Sequence, residues 1–426
     1  MNTSRTKVLI IGAGPTGLMM ACQLSRFGID FIIIDKNPGP SEKSKALAVQ
    51  ARSLEIYGQM GIADKAIEQG QKSKGANLVV KGKKIIRIPF GDIGRQFSAY
   101  PFLHILEQNK NEQLLIEYLG QKNISVTWNS ELLNFSQRDK ELKATIKTKN
   151  DQQEIMTDWM IGADGGKSAV RHLLNLEFSG DTYENIFYVA DTKVEWDLGY
   201  NELIGYLSKK TLTAFFPMKG EKRFRLVGIL PEQFQDEENV TFSDIQSVIK
   251  NSIETKIDFS DTKWFSVYRL HHRCVNHFRE GRCFLAGDAA HIHSPAGGQG
   301  MNTGLQDAYN LAWKLALVIK KIAGEKLLDS YNAERLPLAK RLVKTTDRAF
   351  GFGVSRNIFT QFARINIFPF FIRWLMNKKF FQTFAFKGIS QIAINYRKSF
   401  LSKTQLQNPS SKFKAGDRIP YCFIFS

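Results

Sequence analysis

Gly12, Gly14 and Gly17 fall in the spacing G-x-G-x-x-G within the run Val8–Gly17, VLIIGAGPTG, with Pro15 and Thr16 between the last two. The chemistry of this pattern is binding rather than bond-making. The first glycine allows a tight turn, the second lets backbone approach a pyrophosphate, and the third lets a helix pack close to a strand. The helix that follows offers unpaired N–H groups and a positive dipole end to phosphate oxygens. Asp35, with Lys36 beside it, stands eighteen residues after Gly17, near the spacing expected of a carboxylate that binds a ribose 2′-hydroxyl. Strand, glycine turn, helix, strand and acid in that order predict a dinucleotide site.

Two later stretches repeat the logic. Trp159–Gly162 is an apolar strand running into Asp164 and Gly165, at the strand end where ligands of parallel sheets sit; a plain structural turn is the alternative. Cys283–Ala286 runs into Gly287 and Asp288, after which Pro295 breaks the chain and Gly297, Gly298 and Gly300 precede Met301, Asn302 and a helix over Gln306–Ile322. Such glycines either form a turn or expose several N–H groups to one point, where a developing anion is stabilised. His291 and His293 flank this stretch, and histidines satisfied by the backbone are expected there rather than a metal site. Lys45 and Arg52, in a loop entering a helix, are cations that reach phosphates or a ring system, or else surface charges. No Ser/His/Asp or Cys/His arrangement calls for a covalent nucleophile.

The elements that must position these residues read as follows. Val8–Ile11 and Phe31–Ile34 are buried parallel strands. Residues 76–89 are two short strands around a Gly-Lys turn, Leu103–Leu119 has helical spacing, and 124–128, Leu142–Lys147 and Glu154–Met156 are strands. Ile186–Val194, Leu203–Leu207, Leu212–Pro217 and Phe224–Ile229 alternate as a largely antiparallel sheet, with a helix over Phe242–Ile253. The fold class expected is α/β: a Rossmann-like nucleotide domain from residues 1–75, 98–175 and 267–345, a mixed or antiparallel substrate sheet from 76–97 and 176–266, and a C-terminal helical region over 346–426.

With 426 residues, 43% of them hydrophobic, the chain can bury large cores, and its 23% charged and 12% aromatic content argues against disorder. The first residues lack an apolar signal-like stretch and no run of about 18 uncharged apolar residues occurs, so neither secretion nor a spanning helix is expected. Cys22, Cys274, Cys283 and Cys422 are scattered and read as free thiols in a reducing cytoplasm. From Thr346 to Ser426, 13 Lys and Arg face only Asp347 and Asp417, so this region carries +11 of the net +18. No nucleic-acid motif accompanies that charge. Basic and aromatic residues interleaved in FPFFIRWLMNKKFFQTFAFK suit an anionic membrane surface, or packing helices with a solvated basic face.

Taken together, GAGPTG at 12–17, ADGGKSAVR at 163–171, GDAAHIHSPAGGQGMNTGLQDAYNLAWKL at 287–315 and YNAERLP at 331–337 resemble the flavoprotein monooxygenases of the para-hydroxybenzoate and phenol hydroxylase type, from Val8 to about Leu401. The resemblance implies that the first motif holds the FAD diphosphate, that Asp35 holds the adenosine ribose, and that Asp164 and Gly165 serve both FAD and NAD(P)H. It places Asp288 on the ribityl chain, N–H groups near Gly300, Met301 and Asn302 at the flavin pyrimidine ring, Gln108 against FAD and Arg52 near the diphosphate. Lys45 stands where many relatives carry arginine and lacks its bidentate fork. NADPH or NADH would reduce FAD, O₂ would add at flavin C4a, and a hydroxyl would pass to an electron-rich ring, phenolic or polyketide-like. Epoxidation or Baeyer–Villiger oxygenation on the same fold is a second implied chemistry, and a non-catalytic flavin-binding protein at a membrane surface a third reading. Several relatives of this length class continue past a motif like Ala415–Pro420 into a thioredoxin-like domain, so a truncated chain, or one that has dispensed with that domain, is expected from the end at Ser426. Tyr206, Phe215, Phe216, Pro217 and Arg225 are pocket candidates by position, with core packing as the alternative. The assembly is expected to be a monomer or homodimer.

Overall fold

In the structure, a computed structural model, the described residues are 3–42, 44, 46–208, 212–235, 239–294, 297–355, 357–403, 413–419 and 421. Strand β1 (Thr3–Ile11), helix α1 (Pro15–Arg26) and β2 (Phe31–Ile34) open the first sheet. Val8–Ile11 are buried, as an apolar run must be where helices cover both faces of a parallel sheet. Gly28, at φ 64°, closes α1: its N–H reaches the Ser25 carbonyl and the Ile29 N–H reaches that of Leu24, both at 3.1 Å. This Schellman closure turns the chain directly into β2.

A small sheet of β3 (Ala48–Val49), β4 (Gln71–Ser73) and β7 (Leu103–Ile105) carries helices α2 (Ala51–Met60) and α3 (Ala63–Gln69). Between β4 and β7 the hairpin β5 (Gly75–Val80) and β6 (Lys83–Pro89) leaves for the second sheet, followed by the short α4 (Phe90–Gly94). After α5 (Gln108–Gly120) come β8 (Glu131–Arg138), β9 (Glu141–Lys147), β10 (Gln152–Gly162) and α6 (Ala169–Leu173). The second sheet then takes β11 (Phe178–Glu195), β12 (Leu203–Leu207), β13 (Leu212–Pro217), β14 (Arg223–Ile229) and β15 (Asp258–Val275), with α7 (Phe242–Ser252) on one face. β16 (Arg279–Glu280) and β17 (Cys283–Leu285) return to the first sheet, and β18 (His291–Ile292) pairs with β15.

The first sheet runs β16-β17-β10-β1-β2, parallel from β17 to β2, with β9 and β8 added antiparallel beside β10. The second runs β18-β15-β11-β14-β13-β12-β5-β6 and is antiparallel except for the β12–β5 pair. Helices α8 (Gly300–Ile319), α9 (Asp329–Val354), α10 (Ile358–Phe362), α11 (Phe368–Met376) and α12 (Lys379–Ile389) follow. This is the expected α/β architecture, with some boundaries moved. β15 belongs wholly to the second sheet, so the chain leaves that sheet after Val275 rather than at 267. Residues 124–128 form no strand, only a bridge from Thr127 to Ile34. Leu103–Leu119 divides into β7 and α5. β8 went unread because Leu132 is its one buried residue and gives no alternation to see.

What fixes α8 against the first sheet is a fully buried ionic hub. Asp307 on α8 accepts from Arg335 Nε at 2.6 Å, from the Gly287 N–H at 3.1 Å and lies 2.8 Å from His291 Nε2. Arg335 on α9 also donates to the Thr303 carbonyl at 3.1 Å and to the Tyr396 hydroxyl at 3.1 Å. Burial would raise the Asp307 carboxyl, but Arg335 and His291 outweigh it and hold it below the ordinary carboxylate range. Close packing completes the joint, because side chains at Gly287 and Gly304 would both run into Thr16 at the start of α1. Arg335→Met should therefore destabilise the protein by about 3–5 kcal/mol by leaving the buried Asp307 charge without its guanidinium partner. Urea denaturation measures this, and a loss within error of zero would remove the hub from the account.

Candidate functional site

The three glycines of the first turn differ in what surrounds them. A Cβ on Gly12, whose φ is 101°, would lie 2.5 Å from the Ala163 carbonyl oxygen, and one on Gly17 would strike the Gly12 carbonyl. These two are glycine because protein packs against them. Gly14 is extended, at φ −70° and ψ −177°, and a Cβ there meets no atom within 4 Å. The space it faces is open, at the start of α1, where no side chain caps the helix and no acidic residue occupies the first turn. Pro15 takes the first helical position, where its missing N–H costs nothing.

Asp35 braces this turn from the end of β2. Its Oδ2 accepts from the Ala13 N–H at 2.7 Å, and its Oδ1 from Asn37 N and Nδ2 at 2.9 and 2.8 Å. A carboxylate has lone pairs beyond these three bonds for a hydroxyl. Lys36 is exposed beside it. Asp164, at the end of β10, caps α6 through Oδ2, which accepts from Ala169 N at 2.7 Å and Val170 N at 3.3 Å. Its Oδ1 is buried without a partner, and burial raises its carboxyl above the usual range. Gly165 follows at φ 80°, a turn that favours glycine. Asp288 is exposed on the short 3₁₀ turn Gly287–Ala289, and α8 begins at Gly300 with no side-chain cap and no acid in its first turn. Two uncapped helix starts, an orphaned carboxylate oxygen and an open glycine thus converge on the carboxyl ends of β1, β2, β10 and β17. That donor and acceptor set fits a phosphorylated, hydroxyl-bearing ligand of dinucleotide type.

A family described as the FAD binding domain matches residues 5–346. The chain belongs to this FAD-binding family. It is 38% identical over 354 residues to a 6-methylpretetramide 4-monooxygenase of Streptomyces rimosus, covering 82% of this chain and 63% of that protein. It is 33% identical over 346 residues to a pentachlorophenol 4-monooxygenase of Sphingobium chlorophenolicum, covering 80% of this chain and 63% of that one. The chain thus spans less than two thirds of the length of these two relatives. Its fold matches the OxyS anhydrotetracycline hydroxylase from Streptomyces rimosus with a TM-score of 0.77 and 27% identity, over 98% of this chain and 80% of that one. FAD is the ligand the convergent turns fit.

Residues before α2 are clamped from two sides. From α5, Gln108 accepts the Ala46 N–H at 3.1 Å through Oε1 and donates to Glu112 at 2.8 Å, while Glu112 accepts the Ser41 N–H at 2.8 Å. From the second sheet, Arg225 Nη1 donates to the Ser44 carbonyl at 2.8 Å and lies 3.1 Å from its Oγ. Arg225 is buried, pairs with both oxygens of Asp191 at 2.6 Å and lies over the Trp264 ring. Asn302 stitches α8 to the same region: Oδ1 accepts from Gln50 N at 2.8 Å and Ser53 Oγ at 2.7 Å, and Nδ2 donates to Ala48 and Gly298 carbonyls at 2.8 and 2.9 Å. Gly298 is glycine twice over, with φ 60° and a Cβ that would come within 2.8 Å of Ala48 Cβ. Met301 lies beside α5, its sulfur 3.6 Å from Asn111 Nδ2. Arg52 pairs with Glu55 at 2.9 Å on α2 and faces a cleft of about 930 Å³ between α2, α8 and the C-terminal segment. Lys45 and Pro295 lie outside the described residues.

The pocket expectation divides by strand alternation. Tyr206, Phe215 and Pro217 point to the face covered by α7: Tyr206 and Phe215 are buried in its cluster, and Pro217 pairs with Phe224 of that cluster. The Tyr206 hydroxyl is taken up by the Gly82 and Glu254 N–H groups at 3.1 and 2.6 Å. The structure corrects these three, because a period of two sends them away from Phe216 and Arg225. Phe216 faces the other way, among Leu47, Ala48 and Met218. Residues that sequence reading missed on that inner face are Trp264, Phe187 and Tyr268; their alternation along the long β11 and β15 was the available signal. Also missed was the clip at the C-terminal segment, where Arg418 pairs with Glu55 and donates to the Phe97 carbonyl at 2.8 Å.

Because a side chain at Gly14 enters only open space, Gly14→Val should leave the FAD-free protein's melting unchanged yet abolish FAD retention. Calorimetry and the flavin spectrum check both halves, and a variant that keeps its FAD would separate Gly14 from the ligand. Burial lowers His104 and His293 to about 4 from 6.5. The unfolded chain therefore binds more protons than the folded one between those values, and stability should fall as pH drops from about 6.5 to about 4. Replacing both by Asn should flatten that slope in denaturation curves; an unchanged slope would assign it elsewhere.

Proposed function

We propose that this chain is an NAD(P)H-dependent, FAD-dependent monooxygenase that hydroxylates an electron-rich aromatic ring of phenolic or polyketide type. The observation that carries this reading is the uncapped start of α8 at Gly300–Asn302, tied through the Asn302–Ala48 hydrogen bond to the cluster that holds Phe216 of the second sheet. Aromatic side chains beside a helix start suit a flat ring held by apolar contact and a flavin held by its polar edge. The relatives' names, which join a chlorophenol and tetracycline-type polyketides, support the same substrate class.

FAD held there would supply the redox chemistry that protein side chains lack, hydride acceptance from a nicotinamide and activation of O₂. The chain's residues bind and orient. Gly14 and the first turn of α1 would hold the diphosphate, Asp35 and Asp164 hydroxyls of the sugar portions, and Asp288 the ribityl chain. The positive end of α8, with no acid in its first turn, would stabilise negative charge on the pyrimidine ring, a preorganised field that needs no rearrangement during reaction. The apolar inner sheet face would keep water away from a bound ring. Arg225 holds the sheet to the FAD-side loop through Ser44.

The test is oxidation of NADPH and NADH by the flavin-loaded protein against a panel of phenols and polycyclic phenols under ¹⁸O₂. The expected result is consumption that rises with one phenol class and product carrying one ¹⁸O atom. A flavin-loaded protein that consumes neither nucleotide with any phenol would overturn the proposal.

A further inference from the structure

The strongest feature the FAD site does not absorb is the outer face of residues 358–389. α10, a π-helical turn over Ala363–Ile367 and α11 run on as one helical segment, and α12 folds back beside it. The inner side is anchored: Ile365 packs with Val80 and Leu207, and Phe386 enters the cluster of Phe90, Ile93 and Leu103. The outer side is not polar. Phe359, Ile367, Phe370, Trp374, Phe380 and Phe384 are 54–84% exposed. Ile367, Phe370, Phe371 and Trp374 follow i, i+3, i+4, i+7 spacing, so they form one stripe pointing away from the protein. Contiguous apolar surface of this kind marks an interaction site rather than ordinary surface.

Charge selects the occupant. Arg373, Lys378 and Lys379 are exposed beside the stripe, with Lys378 over the Trp374 ring at 4.5 Å. The two acids of the region are already engaged: Asp347 accepts from Tyr183 at 2.7 Å and Asp417 pairs with Arg397. We infer that this face docks on an anionic lipid bilayer, lying in the headgroup plane with its aromatic stripe among the acyl chains. A second copy of the chain fits poorly, because a two-fold interface would set the same basic residues against themselves. Ile358 and Ile367 in the exposed surface suit acyl chains better than the base stacking a single-stranded nucleic acid would require. Among the described residues no helix is long and apolar enough to cross a membrane, so the contact is in-plane. The docking does not depend on the hydroxylase reading. Through Phe386 and Phe216, which share one cluster, it places the candidate site beside the bilayer.

The test is sedimentation of the FAD-loaded full chain with phosphatidylcholine vesicles, with and without phosphatidylglycerol. The expected result is binding that requires phosphatidylglycerol, weakens with added salt, and drops at least about tenfold in F370S/F380S, whose exposed positions leave melting and flavin content unchanged. K378E/K379E should weaken the same binding with the apolar stripe intact. No binding to phosphatidylglycerol vesicles overturns the inference, as does binding indifferent to both variants. Light scattering that shows a dimer broken by F370S/F380S, or an oligouridylate bound through the same residues, would overturn it in favour of those partners when vesicles are not bound.

Discussion

The carboxylate of Asp307 is the point on which the arrangement depends. It lies inside the protein with three partners: the Arg335 guanidinium, the His291 imidazole and the N–H of Gly287. They come from two distant parts of the chain, the Gly287–His291 turn and α9, and are drawn in because a buried charge without partners costs more than folding can supply. The consequence is geometric. α8 cannot shift along its axis without breaking the hub, so its first turn stays beside the Gly287 turn and, through Thr16, beside the glycine turn of α1. Two separate helix starts, nearly 290 residues apart in sequence, are thereby aimed at one region.

The second constraint is steric. Gly12, Gly17, Gly287 and Gly304 are places where a methyl group would meet another part of the protein, and they let three segments approach more closely than side chains permit. Gly14 differs because nothing of the protein presses on it. The contrast separates glycines of this motif that the fold requires from the one that leaves open space, a distinction the spacing G-x-G-x-x-G does not contain. Around this rigid core the contacts become polar and adaptable. Ser41 and Ala46 are held by Glu112 and Gln108, and Ser44 by Arg225 from the other side.

Much of this was legible in the sequence where a local rule applied. Val8–Ile11 and Phe31–Ile34 declared a parallel sheet by being apolar throughout, and the turns at 12–17, 163–166 and 287–300 declared their positions by their glycines. What escaped was long-range. Asp307 and Arg335 are 28 residues apart, and Glu55 and Arg418 are 363 apart, with no pattern that pairs them. The sheet residues failed for a different reason. Alternation gives two faces but not which face is inward, so Tyr206 and Phe215 looked equivalent to Phe216 until α7 was seen to cover them. The exposed aromatic stripe of 358–384 was legible as composition, yet only the packing of Ile365 and Phe386 fixed which side faced out.

The central claim is that the first turns of α1 and α8 grip opposite parts of one FAD molecule. Amide hydrogen exchange on the FAD-free protein, before and after adding FAD, tests it most directly. The account predicts slowed exchange at Gly14, Thr16 and Gly17 and at Gly300, Met301 and Asn302 together, with little change on the α7 face of the second sheet. Slowing at one of these helix starts without the other, or at neither, would contradict it.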